Sequence, residues 1–370
     1  MISFGGNILK IMKLFKKMKV LLLAFVILFS TSACIKNPDN FKEIYQGTGA
    51  LSEAIPLKNE FNESDNAPVQ NPDLIDETEK IIQILTSEEF KGRASDTDGN
   101  DKAVEYLNSQ FENIGLDYLF KDTYLHKYKF KSNINAYKII DPDGEKSNVV
   151  GLIKGTNHSE KSKAVVITAH FDHIGRGFNP KDDKTIHPGA VDNASGTAVL
   201  LRIAHKIKEM SKETPFETDI IVAAVNHEEI GYIGSRALIN DIKDRYKNIY
   251  NINIDCVGVK NGSPLIVYSS DKRSPELSPL IFQYMDTTGE AINKDTKIRN
   301  YTSDHMAFEK NGIQSIFFMD TYDDDLIHQT TDTLENNIDV ERLNKLVDHI
   351  CGFLRFNDKN AIAKKDPIEV

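Results

Sequence analysis

Asn226-His227-Glu228-Glu229 sets two adjacent carboxylates directly after the apolar run Ile220-Ile221-Val222-Ala223-Ala224-Val225. Such a pair can divide labour, one acid holding a metal ion while the other takes and returns a proton. Further groups of the right chemical type recur at similar places. His170 and Asp172 follow the run Ala164–Ala169, and Asp255 follows Ile249–Ile254. Asp192 sits in the small-residue loop Gly189–Gly196, and His328 lies in a polar loop before the last helical pattern. Two imidazoles and three carboxylates form a nitrogen and oxygen donor set suited to Zn²⁺ and tolerated by Co²⁺ or Mn²⁺. One bridging carboxylate, with one His and one further carboxylate per metal, holds two ions about 3.5–4 Å apart and lowers the pKa of a shared water toward about 7. A carboxylate outside the coordination sphere then handles the proton.

Each residue alone has a plainer reading. A single His after a strand is usually a hydrogen-bonded or surface residue. Asp192 beside Asn193 can cap the helix that follows. Glu228-Glu229 can be a solvated turn. Asp255, inside the apolar stretch Ile252–Val257, must be paired or ligating if it is buried. What favours chemistry is the joint placement of these groups at the ends of three separate runs.

Those runs must be strands for the groups to meet. Asn148–Ile153, Ala164–Ala169, Ile220–Val225, Ile249–Ile254, Leu265–Tyr268 and Ile313–Phe318 are apolar, rich in β-branched residues and of strand length. Helical patterns at about 100–114, 196–210, 231–240, 275–289 and 339–356 lie among them, and a further amphipathic pattern runs through Leu74, Ile75, Ile81, Ile82 and Leu85. The alternation predicts an α/β fold: a central, mostly parallel mixed sheet with helices on both faces. In such a sheet the carboxyl ends of the strands share one edge, where ligands bind.

The chain has 370 residues, 40% hydrophobic and 27% charged, with a formal net charge of −10. This is the composition of a globular protein and argues against nucleic acid as a partner. The first 34 residues differ: Lys10, Lys13, Lys16, Lys17 and Lys19 precede the apolar Val20–Phe29, then Ser30-Thr31-Ser32-Ala33 and Cys34. This is the layout of an export signal, with an apolar run shorter than the roughly 20 residues that span a bilayer. The small residues ending at Cys34 resemble a bacterial lipoprotein processing site, although Thr31 stands where that pattern usually has an apolar residue. The resemblance implies lipidation of Cys34 and a membrane-anchored protein outside the cytoplasm; ordinary cleavage and secretion is the alternative. Residues 35–72, polar and rich in Asn, Asp and Ser, read as a flexible tether. A catalytic domain is expected over 73–358 and a polar tail over 359–370. Sequence does not place Cys256 and Cys351 within bridging distance.

Several motifs are excluded. Gly231 stands where H-E-x-x-H needs its second His, and the chain has neither a phosphate-binding P-loop nor a G-x-S-x-G elbow. Taken together, Ala169-His170-Phe171-Asp172-His173-Ile174-Gly175, Gly189–Ala198, Asn226–Gly231, Asn253-Ile254-Asp255, Ser303-Asp304-His305 and Ile327-His328 resemble the M28 family of zinc aminopeptidases. The likeness extends upstream to Phe90-Lys91-Gly92-Arg93 and the Ala103–Gly115 helix. It implies a two-zinc enzyme that removes N-terminal residues from peptides. His170 and Asp255 would hold one ion, Glu229 and His328 the other, and Asp192 would bridge them. Glu228 would be the general base, and Asp172 would orient His170 through a carboxylate–imidazole hydrogen bond. Asp304 and His305 would lie near the pocket, with a packing role equally open. Two other readings share this fold: a single-zinc glutaminyl cyclase, and a non-catalytic surface module.

Overall fold

The computed structural model describes residues 53–62, 76–95, 97–131, 144–176, 185–297, 302–321 and 326–367. The expected export signal, Cys34 and most of the expected tether lie outside them. Ten strands form one mixed sheet. They are β1 (Glu53–Pro56), β2 (Asp117–Tyr118), β3 (Leu125–Lys131), β4 (Lys146–Ile153), β5 (Lys163–His170), β6 (Asp219–Val225), β7 (Asn248–Ile254), β8 (Leu265–Tyr268), β9 (Ile292–Asp295) and β10 (Gln314–Met319). The order is β1-β3-β4-β6-β5-β7-β10-β8-β9, with β2 paired to β4. The centre, β6-β5-β7-β10, is parallel, whereas β4 and β8 flank it antiparallel.

The continuous apolar runs are explained by burial on both faces. Along β6, Ile220, Val222 and Ala224 face one core, and Ile221, Ala223 and Val225 face the other. The first core is covered by α1 (Thr78–Leu85), α2 (Asp98–Ile114), α3 (Ser195–Glu213), α5 (Leu277–Thr288) and α8 (Val340–Asn357). The second is covered by α4 (Ile233–Ile242) and α6 (His305–Lys310). A short helix, α7 (Leu334–Asn337), precedes α8.

Local signals fix the helix ends. Thr97 caps α2 by accepting the Asn100 N–H, and Gly115 ends it with φ 72°. Asp339 accepts the N–H groups of Glu341 and Arg342 at the start of α8. Among the described residues, no helix is long and apolar enough to cross a membrane.

Two boundaries need correction. Part of the expected tether is built into the fold, because Glu53–Pro56 pairs antiparallel with β3 and satisfies that strand's outer edge. The expected polar tail also packs: Ile362 is buried, Ala363 bridges to Asn248, and the Lys365 N–H reaches the Gly312 carbonyl. Both segments hold their apolar residues in runs too short to be periodic, so the pattern hid the backbone pairing that holds them.

Candidate metal centre

The parallel strands bring their carboxyl ends to one edge. His170 is the last residue of β5, Asp255 comes immediately after β7, and the turn carrying Glu228 and Glu229 follows β6. That turn begins at Asn226, which is tied on three sides. Its N–H donates to Asn148 Oδ1 at 2.9 Å, its Nδ2 donates to Asn100 Oδ1 at 2.9 Å, and its Oδ1 accepts the His227 N–H. His227 then takes a left-handed φ of 60°, an unusual conformation for a residue with a Cβ, and this swings the chain back over the strand end. Asp255 is braced from behind: Ser303 Oγ donates to its Oδ2 at 2.7 Å and in turn accepts from Asn253 Nδ2 at 2.8 Å.

Asp192 lies in the segment leading into α3. The capping role open to it falls instead to Asn193, whose Oδ1 accepts the Gly196 N–H at 2.9 Å. Asp192 is thereby left to face the other acids and imidazoles. The preceding Gly189 adopts φ 63°, and a Cβ there would lie 2.5 Å from the His173 ring and 2.3 Å from the Asp192 carbonyl oxygen. Only glycine fits so close an approach.

The donors fall into two groups that share Asp192. In the first, His170 Nε2 lies 3.2 Å from Asp255 Oδ1 and 3.4 Å from Asp192 Oδ1. In the second, His328 Nε2 lies 3.0 Å from Asp192 Oδ2 and 3.2 Å from Glu229 Oε2. His173 Nδ1 joins the second group, 3.0 Å from Glu229 Oε1 and 3.6 Å from Asp192 Oδ2. All these side chains are buried. Every donor named for metal from the sequence is therefore brought to this edge. His173 was part of the recognised segment but had no role, because its place three residues past His170 carries no helical or strand periodicity.

Glu228 belongs to neither group. It is 2% exposed, and neither carboxylate oxygen has a hydrogen-bond partner among the described residues. Asp172 differs from expectation. Its Oδ1 is 3.6 Å from His170 Nδ1, beyond a hydrogen bond, and its backbone carbonyl makes the 3.1 Å contact instead. The carboxylate is occupied elsewhere, accepting the N–H groups of Glu228 at 3.1 Å and Glu229 at 3.4 Å and the Ser95 hydroxyl at 3.2 Å. Asp172 thus orients the acidic turn with its side chain and His170 with its main chain.

Electrostatics follow from packing acids and imidazoles together away from solvent. Burial alone would discharge His170 and His328, but Asp255 and Glu228 around the first, and Glu229 and Asp192 around the second, raise both well above the usual imidazole range. Burial would raise Asp192, yet His170, His173 and His328 hold it well below the ordinary carboxylate range. Glu228 moves the other way. Burial, then Glu229, Asp255 and Asp304, raise it well above that range, against the pull of His170. Burial also pushes Asp304 up to about 7. His305 has a packing role: burial and Arg273 lower it to about 3, and its ring stacks on Phe317 with centroids 4.4 Å apart.

These residues fit a metal. Both Asp192 oxygens and Glu229 Oε2 are buried without a hydrogen bond, an arrangement that costs about 1–3 kcal/mol per group if nothing else satisfies it. Donors that share a tetrahedral ion at about 2.0–2.1 Å sit about 3.3 Å apart, the spacing found here between imidazole and carboxylate atoms. Behind the acids lie two more residues that sequence reasoning did not single out. Asp332 is fully buried and accepts the N–H groups of Val191 and Asp192. Arg93, within the recognised upstream segment but given no role, is also fully buried, and burial lowers it only to about 10 because Asp192, Asp332 and Asp172 oppose the shift.

Known proteins resemble this chain in sequence and in fold. Aminopeptidase YwaD of Bacillus subtilis (strain 168) is 29% identical over 178 residues, 46% of this chain and 35% of that protein. A probable zinc metalloprotease of Leptosphaeria maculans is 36% identical over 117 residues, 31% of this chain and 25% of that protein. The matches thus span about a third and a quarter of these relatives' lengths. Two solved structures share the fold at 18% identity. A leucine aminopeptidase precursor from Bacteroides thetaiotaomicron has a TM-score of 0.58, covering 80% of this chain and 99% of that one. Fimbriiglobus ruber glutaminyl cyclase has a TM-score of 0.59, covering 81% and 99%. The model of peptidase family M28 matches residues 148–354, a stretch containing every donor described above. By that match over more than half its length, the chain belongs to peptidase family M28.

Proposed function

We propose that this chain is a two-zinc aminopeptidase acting on peptides with a free N-terminus. The observation that carries the reading is the sharing of Asp192 between two buried donor groups, with Glu228 beside them and outside both. His170 and Asp255 would hold one ion, Glu229 and His328 the other, and Asp192 would join them. Bound zinc supplies an acidified water at neutral pH and polarises the scissile carbonyl.

The remaining work falls to the chain. Glu228 takes a proton from the attacking water and returns it to the departing amine. Its raised proton affinity suits that exchange, since a base that holds the proton too weakly cannot deliver it. Asp172 fixes the base by holding the Glu228 N–H. The low exposure of the site keeps bulk water from competing with the ordered one.

A glutaminyl cyclase-like reading is favoured by one observation, the fold shared with the Fimbriiglobus ruber enzyme. The two separate cleanly by product. An aminopeptidase releases a free amino acid from aminoacyl chromogenic amides; a cyclase releases ammonia from an N-terminal glutamine peptide. Activity on the amides that is lost to a chelator and restored by Zn²⁺ supports the first reading. Ammonia release alone replaces it with the second, and absence of both activities, with no zinc bound, points to a non-catalytic module.

The N-terminal segment leads us to propose export and anchoring through lipidated Cys34. Cys34→Ser should move the protein from the detergent phase to the aqueous phase on partitioning, and an unchanged distribution would remove lipidation.

A further inference from the structure

Arg93 is a buried cation that forms no ion pair with any described residue. Its left-handed backbone, φ 50°, follows Lys91 at φ 49° and Gly92 at φ 66°, a turn that drives the side chain inward. A guanidinium has five N–H groups, and here each meets a backbone carbonyl. Nε donates to Phe171 at 2.8 Å; Nη1 to Leu85 at 2.7 Å and Pro188 at 2.8 Å; Nη2 to Gly189 at 2.9 Å and Asp192 at 3.5 Å. Three of the five carbonyls belong to the short segment 188–192. The opposite polarity of that segment is held by Asp332, whose carboxylate accepts the Val191 N–H at 2.9 Å and the Asp192 N–H at 3.3 Å.

We propose that Arg93 and Asp332 are positioning residues that clamp the 188–192 segment by its carbonyls and its N–H groups, so that the Asp192 carboxylate faces both donor groups at once. Apolar side chains could fill the same space, but they would remove the donor from five carbonyls, of which Gly189 keeps a second one in the Ala194 N–H at 3.2 Å, and the acceptor from two N–H groups. A lysine carries three donors on a single nitrogen and cannot span carbonyls from residues 85, 171, 188, 189 and 192. The positive charge also lies within reach of Asp192, Asp332, Asp172 and Glu229, and tempers the mutual repulsion of the acids. The clamp rests on the proposed sharing of Asp192 between two ions.

The test is zinc binding to the full chain, read by competition with a chromophoric chelator, with folding checked by far-ultraviolet circular dichroism and a cooperative melt. Wild type should bind two ions. Arg93→Lys keeps the charge but loses the span, and should weaken at least one ion tenfold or more; Arg93→Gln should weaken it further. Asp332→Asn leaves one acceptor and turns an NH₂ toward the second N–H, so it should show the same loss and serves if the Arg93 variants do not fold. A merely structural role would lower the melting temperature and leave both affinities unchanged in the folded variants, and that result overturns the clamp. If wild type itself binds a single ion, the two-ion reading fails. The clamp is then decided by whether that ion's affinity falls in the variants.

Discussion

The two donor groups are built differently. His170 and Asp255 stand at the very ends of β5 and β7, so the sheet's hydrogen bonds fix them, and Ser303 braces Asp255 from behind. Glu229, His173 and His328 hang on loops, four and three residues past their strands or, for His328, at a left-handed position with φ 57°. The loop-built group brings three donors of its own to Asp192, against two from the strand ends. Strand ends hold their donors rigidly, whereas the loop group depends on the turns that carry it. On the proposed function each ion has two ligands of its own and shares Asp192, which leaves His173 as a support beside the loop group rather than a ligand.

The largest effect expected lies outside both groups. Glu228→Gln should keep zinc binding and lose about 10²–10⁴-fold in kcat, the usual contribution of a general base. Activity near wild type would end that assignment. Next, Asp192→Ala should weaken both ions, whereas Asp255→Ala should weaken one. Equal zinc isotherms for the two variants would erase the distinction between a shared and a private ligand.

His173 sharpens the comparison at smaller scale. If it supports the loop group, His173→Ala should lower the affinity of one ion by about 10–100-fold, as losses of supporting residues around metals do, and leave the other ion alone. Equal loss at both ions would show that the groups are not separate.

The smallest effect concerns the metal-free protein. Burial raises Asp304 to about 7 and Asp332 to about 6. Their neutral forms therefore favour folding at low pH, and this contribution is lost as pH rises through those values. His170 and His328 are also raised and act in the same direction, while Asp172 and Asp192, held low, act only as pH falls through the acidic range. The metal-free melting temperature should fall by several degrees between pH 5 and pH 8, and Asp304→Asn should flatten the slope. A rise over that window would contradict this account of the buried acids.

The same contrast explains what the sequence disclosed. Ile220–Val225 and Ile249–Ile254 announce buried strands by composition, so the residues at their ends could be placed on one edge from the pattern alone. The antiparallel pairing of β1 could not, since four residues in a polar stretch bear no periodic signal. His173 escaped because a loop has no period, and the family resemblance supplied roles only where motif positions matched. Arg93 and Asp332 escaped for another reason: their partners are main-chain groups, and nothing in a side-chain pattern marks a buried residue that binds backbone. Asp172 shows the limit from the other side: the resemblance points its carboxylate at His170, whereas it accepts the N–H groups of the acidic turn.

The central claim is the sharing of Asp192, and anomalous diffraction at the zinc edge from crystals of the zinc-loaded protein tests it most directly. The account predicts two peaks, each about 2.0–2.2 Å from a different oxygen of Asp192, one beside His170 and Asp255 and the other beside Glu229 and His328. A single peak, or two that do not share Asp192, would contradict it.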